Sequence, residues 1–285
     1  MDEKNLRAYL AEMIGTFAFV FISAGSQYVA RLGGWQPGDV WWQPGLVWVA
    51  LASGLMYAAV LAVTVPVSGG YLNPAVTIML WVFRRLDEMQ AIFLVLAQVL
   101  GAAIAGAALW LVLPADEPAR MASHLGAPYL NLEYFGAAGS SSTGIWMKGV
   151  ALELILTFIL VIIIFGTQLD PRASRWSGNW ANRLACLWIG LALVGCTIFG
   201  FPFTGAALNP ARWLGPALWD LTQHADAFQY HAPYWLGPIA GALLAGWLYT
   251  ALVLPPEVEA RPAAAAATPT ARPAAASSTL FRAKK

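Results

Sequence analysis

At 285 residues, 59% hydrophobic and only 11% charged, the chain falls far below the roughly 25% charge of a soluble domain, so it reads as a membrane protein. A net charge of +1 gives no footprint for a nucleic-acid partner. Its two cysteines, Cys186 and Cys196, would lie about 15 Å apart along one helix; that excludes a disulfide between them, and neither fits a zinc or redox spacing.

The opening MDEKNLRAYLAEMIGTF lacks the short apolar region and cleavage site of a secretory leader and continues as a full span. That first span covers about 8–30 and the second 44–66. The second leads into SGGYLNPAVT at 68–77, which has turn chemistry in the middle of apolar chain. A short amphipathic run, 74–83, starts at its Asn-Pro, and a third span covers 89–113. The long connection 114–145 is rich in Pro, Gly and Ser. Spans four and five cover 146–168 and 182–201; a second short run, 210–219, starts at the Asn-Pro of TGAALNPAR, and span six covers 232–254. Each long run supplies the ~20 apolar residues that a bilayer core requires. The Ala/Pro-rich stretch 255–285 has little to bury and is expected to be a disordered tail. The alternative for its last basic residues is a membrane-surface or partner role.

Basic residues set the orientation. Lys4, Arg7, Arg84, Arg85, Arg172, Arg175, Arg183 and the tail's Arg261, Arg272, Arg282, Lys284 and Lys285 fall on one side, against Arg31, Arg120 and Lys148 on the other. The positive-inside rule then places both termini in the cytoplasm, and a plasma (cell inner) membrane is the expected location.

The chain also repeats itself. SGGYLNPA and TGAALNPA stand 136 residues apart, and at that offset Pro66 meets Pro202 and Gly54 meets Gly190. Glu12-x-x-x-Thr16-Phe17 returns as Glu153-x-x-x-Thr157-Phe158 at offset 141. Each half holds three spans and one short run. Three is odd, so the halves must be inverted relative to one another. A nine-residue helix is about 14 Å long, half of a ~30 Å core. One short helix would therefore enter from each face, and the two Asn-Pro starts would meet near the midplane. Irregular backbone at that depth is tolerated only where it is buried in protein or lines a cavity.

Together with FTGAALNPARWLGPA and YWLGPIAGALLAGWLY, these motifs resemble the aquaporin, or major intrinsic protein, family over about residues 8–254. The resemblance implies an all-α membrane fold of six spans and two re-entrant half-helices, forming one channel domain over 1–254. It further implies no cofactor or metal, a homotetramer in the lipid bilayer, and a passive channel for water and small uncharged solutes that excludes protons and ions. Asn73, Pro74 and Ala75 and their repeat Asn209, Pro210 and Ala211 would be the pore motifs. Each Asn could offer an amide donor to the lumen or serve simply as an N-cap. Carried over by position, Ser53, Thr197, Ala206 and Arg212 would form the selectivity filter.

Strict water channels of the family typically place Phe and His where this chain has Ser53 and Thr197. The chain is thus expected to have a wider constriction, with a facilitator of neutral solutes (glycerol, urea, hydrogen peroxide, ammonia or metalloid acids) as the alternative to a water channel. Trp213, Ala217 and the pair Tyr234-Trp235 depart from the glycerol-facilitator pattern and pull back toward water; Trp213 and Trp235 have either a packing or a selectivity role. Tyr71 stands where His is frequent, either removing a pH-responsive group or packing beneath the loop. Glu12 and Glu153 would brace the re-entrant backbone; as intramembrane carboxylates they could instead be proton relays of a coupled transporter. Cys196 is a candidate mercury site if it reaches the lumen. No nucleophile–base pair suggests an enzyme.

Overall fold

The computed structural model describes residues 3–32, 44–114, 123–135, 142–172, 181–221 and 230–254. Every regular element among them is helical. The first half comprises α1 (Glu3–Leu32), α2 (Pro44–Ser68), α3 (Pro74–Val82) and α4 (Glu88–Val112). The connection holds a 3₁₀ turn, His124–Gly126, and the short α5, Leu132–Phe135. The second half comprises α6 (Ser142–Ile164), α7 (Ala181–Thr204), α8 (Pro210–Asp220) and α9 (Pro233–Leu248). Both α6 and α9 end in a π turn, Phe165–Leu169 and Tyr249–Val253. Among the described residues, six helices are long and apolar enough to span a bilayer, and they match the six spans read from the sequence. The proposed tail 255–285 and the basic residues Arg120, Arg175, Arg261, Arg272, Arg282, Lys284 and Lys285 lie outside the described residues.

The packing has the inverted symmetry of the repeat. Helix α1 packs on α2 and α4 as α6 packs on α7 and α9, and α2 against α7 joins the halves. Each half-helix reaches across: α3 seats on α9, and α8 on α4. Glycine makes the central crossing possible. A Cβ on Gly54 would collide with the Gly190 carbonyl, and one on Gly190 with the Gly54 carbonyl. The small-residue stripes of α4 and α9 serve packing within the chain, since Gly101 abuts Met13 of α1, Gly106 abuts Gly215 of α8, and Gly241 abuts Leu154 of α6. Such approaches replace the hydrophobic drive that helices lack in lipid. Outward faces carry large apolar side chains such as Val63, Leu111 and Leu252. Glu12 and Glu153 are fully buried.

One face of the bundle gathers charge where the π turns end. Arg85 lies 5.5 Å over the Phe165 ring, and Asp170 accepts hydrogen bonds from Arg172 (2.6 Å) and the Tyr249 hydroxyl (2.9 Å). Burial pushes the Asp170 carboxyl up, but the hydrogen bonds from Arg172 and Tyr249 outweigh it and hold the group below the usual carboxylate range. On the opposite face Arg31 donates to the Tyr129 hydroxyl at 2.9 Å, and His124 Nδ1 lies 3.5 Å from Asp220.

Candidate functional site

The two Asn-Pro segments meet at the centre of the bundle with nearly identical backbones. Asn73 (φ −151°, ψ 114°) and Asn209 (φ −152°, ψ 115°) are extended N-caps of α3 and α8. Asn73 Oδ1 accepts from the Ala75 N–H and Asn209 Oδ1 from the Ala211 N–H, both at 2.9 Å. Pro74 and Pro210 take the first helical position, where no N–H is needed. The side-chain amides then cross between the halves: Asn73 Nδ2 donates to the Leu208 carbonyl (2.9 Å) and Asn209 Nδ2 to the Leu72 carbonyl (2.8 Å). An amide NH₂ carries two hydrogens, so each Asn serves as a cap and an inter-half tie while retaining a second N–H.

Buried carboxylates hold the loops that precede these caps. Leu72 and Leu208 sit at φ 50° and 52°, a left-handed conformation that costs a residue with a Cβ about 1–2 kcal/mol. Glu12 accepts from Ser68 Oγ (2.6 Å), the Tyr71 N–H (2.9 Å), the Leu72 N–H (2.6 Å) and Gln98 Nε2 (2.7 Å). Glu153 accepts from Thr204 Oγ1 (2.6 Å), the Ala207 N–H (3.0 Å) and the Leu208 N–H (2.8 Å). The two sets correspond residue for residue. Gln98 is the addition on the first side.

Ser53, Thr197, Ala206 and Arg212 line one narrow cavity. Arg212 is 3% exposed. Its Nε donates to Ser23 Oγ (2.8 Å) and its Nη1 to the Gly126 carbonyl (2.7 Å), both neutral oxygens. Ser23 Oγ also lies 2.8 Å from Ser53 Oγ, which links three lining residues in one chain. Two aromatic rings, Phe19 and Phe201, line the same cavity from positions other than 53 and 197.

A second cavity lies on the other side of the Asn pair, lined in part by Tyr57, Tyr71, Val76 and Gln168. Neither Asn lines either cavity. The two cavities are images under the repeat. Offset 136 carries Leu61 to Thr197, Val76 to Arg212 and Ile189 back to Ser53; offset 141 carries Ser23 to Ile164. At these four positions the first chamber is polar where its image is apolar, while Tyr57 and Tyr71 of the second stand where the first has Leu193 and Ala207.

Ser23, Gln27, Gln98 and Gly126 were not singled out in the sequence. A signal existed for the first two: Phe19, Ser23 and Gln27 follow at i, i+4 and i+8 along an apolar helix, all buried. Trp213 is fully buried and stacks on Tyr234 at 5.5 Å, with Trp235 packed on the same cluster; none of them lines a cavity. Tyr71 lies against the second cavity, and the Tyr57 hydroxyl donates to its carbonyl at 3.3 Å. The Cys196 thiol is buried, faces the Leu156 carbonyl at 3.6 Å and does not line the cavity.

Known proteins agree with this architecture. Probable aquaporin TIP3-2 of Arabidopsis thaliana is 34% identical over 262 residues, covering 88% of this chain and 85% of its own. Aquaporin TIP4-4 of Zea mays is 35% identical over 253 residues, covering 89% of each chain. Aquaporin-4 of Bos taurus is 33% identical over 253 residues, covering 89% of this chain and 69% of its own. The aquaglyceroporin from Plasmodium falciparum shares the fold, with a TM-score of 0.69 at 22% identity over 88% of this chain and 98% of that one. Residues 1–249 match the major intrinsic protein family; with the inverted halves and the paired Asn-Pro caps, the chain belongs to that family of membrane channels.

Proposed function

We propose that the protein is a passive channel conducting water together with small uncharged solutes while excluding protons and ions. The observation that carries this reading is the cavity in which Arg212 faces Ser53, Thr197 and Ala206. A buried guanidinium repels cations, and with two half-helix N-termini beyond it forms a proton barrier of a known kind. The spare N–H of Asn73 and of Asn209 would orient a passing water by its oxygen. Glu12 and Glu153 would brace the re-entrant loops rather than relay protons, because their oxygens already accept backbone and side-chain donors.

Small side chains at 53 and 197 favour solutes larger than water. The second reading is therefore a wide-filter facilitator for neutral solutes, with water secondary. Both termini would be cytoplasmic, in a plasma membrane, and the assembly a homotetramer; the face carrying Arg85 and Arg172 would then be internal. Stopped-flow light scattering on proteoliposomes tests the reading. An impermeant osmolyte reports water, and glycerol and urea gradients report solutes. Fast water flow with solute re-swelling is the expected result. Water flow alone would make Ser53 and Thr197 insufficient to widen the pore, and solute flow with little water would favour the facilitator.

A further inference from the structure

One polar side chain survives in both image cavities. Offset 141 pairs Gln27 with Gln168, and offset 136 pairs Gly205 with Gly69. In the apolar cavity Gln168 Nε2 donates to the Gly69 carbonyl at 2.7 Å. In the polar cavity Gln27 and Gly205 both line the wall, yet Gln27 Nε2 has no hydrogen-bond partner, although the residue is only 4% exposed. Folds seldom leave a buried amide donor unpaired. Its neighbours on the same face of α1 are engaged: Ser23, one turn earlier, with Arg212 and Ser53, and Arg31, one turn later, with Tyr129.

We propose that Gln27 is a specificity-determining residue of the channel. Its side-chain amide would hydrogen-bond a small uncharged solute as that solute reaches Arg212. The amide offers both a donor and an acceptor, whichever way it is turned. It therefore suits solutes that carry oxygen acceptors together with O–H or N–H donors. The inference rests on the channel reading. Gln168, tied to backbone, is its structural counterpart and takes no part in selection.

The test compares wild type with Gln27→Met and Gln27→Leu, using Gln168→Met as the control, in proteoliposomes. Glycerol and urea permeabilities are each divided by water permeability. The Gln27 variants are expected to lower these ratios about 2- to 10-fold, the effect of one net hydrogen bond. Their thermal midpoint should equal or exceed that of wild type, because no protein bond is lost, whereas Gln168→Met should lower the midpoint. Unchanged ratios in a conducting Gln27 variant overturn this inference alone, as does a lowered midpoint without a change in ratio. A wild type that conducts neither water nor solute overturns the channel reading and this inference with it.

Discussion

Replacing the buried carboxylates separates a bracing role from a proton-relay role. In Glu12→Ala the N–H groups of Tyr71 and Leu72 lose their acceptor; in Glu153→Ala those of Ala207 and Leu208 do. Each stranded donor costs about 1–3 kcal/mol, so each alanine variant should lose about 2–6 kcal/mol. Stability of a typical domain is about 5–15 kcal/mol, so the loss is large. Glutamine keeps the shape but turns one oxygen into an NH₂. In Glu12→Gln that group must face either the Tyr71 or the Leu72 N–H, and in Glu153→Gln either the Ala207 or the Leu208 N–H. One backbone donor is stranded in each case, for a loss of about 1–3 kcal/mol. Reversible unfolding in mixed micelles measures all four variants. A proton relay predicts a different pattern, in which the glutamine variants stay stable but abolish pH-driven uptake. Alanine variants within about 0.5 kcal/mol of wild type, a spread typical of inconsequential surface changes, or pH-driven uptake by the wild type would refute the bracing argument.

Other substitutions test the rest of the site. Arg212→Val copies the image residue Val76 and should raise cation leak at least tenfold by dye flux: unit charges 4 Å apart repel by about 4 kcal/mol at an effective dielectric of ~20, and losing about 1.4 kcal/mol of that is a factor of ten. Ser53→Phe with Thr197→His should cut glycerol flux by more than about tenfold, each rate decade needing only about 1.4 kcal/mol of added barrier, with water flow much less affected. Mercurials should leave permeation unchanged, and Cys196→Ser should behave as wild type, since the thiol faces the Leu156 carbonyl. The Asp170 carboxyl titrates lower in the folded protein. Its contribution is therefore complete above the ordinary carboxylate value of about 3.9 and is lost as pH falls through the lower folded value; Asp170→Asn should flatten acid unfolding in that window.

The fold was legible because lipid imposes a coarse code. Long apolar runs gave the spans, and two Asn-Pro motifs at a constant offset gave the inversion. What the sequence hid depends on close contacts. The π turns at Phe165–Leu169 and Tyr249–Val253 carry no proline, and the lone Gly166 in the first does not tell a π turn from an α-helical one. The 3₁₀ turn at His124–Gly126 reads as loop, yet its Gly126 carbonyl fixes Arg212 from 86 positions away. Ser23 looked like an ordinary small residue of a membrane helix. Only the fold brings it under the guanidinium. Gln98 was hidden in the same way, because its partners Glu12 and Thr77 come from two other helices.

Scaffold and chemistry divide cleanly along the repeat. The backbone framework is duplicated: Ser68 with Thr204, Glu12 with Glu153, and Asn73 with Asn209 make corresponding bonds. The cavity walls are not duplicated. Arg212, Ser23, Thr197 and Ser53 stand where the image chamber has Val76, Ile164, Leu61 and Ile189. A solute gives up its hydration shell on entering the narrow pore, and replacement hydrogen bonds lower that cost only where polar walls provide them. If both chambers were polar, a solute would bind at two sites and leave slowly. If both were apolar, nothing would replace the water or repel a cation. On the proposed channel reading, a solute would be selected beside Arg212 and would cross the Asn pair into a chamber that carries Val76, Ile164, Leu61 and Ile189 at the corresponding positions. Conduction requires sites favourable enough to enter and weak enough to leave, and walls that differ at these four positions would serve both conditions on one duplicated backbone.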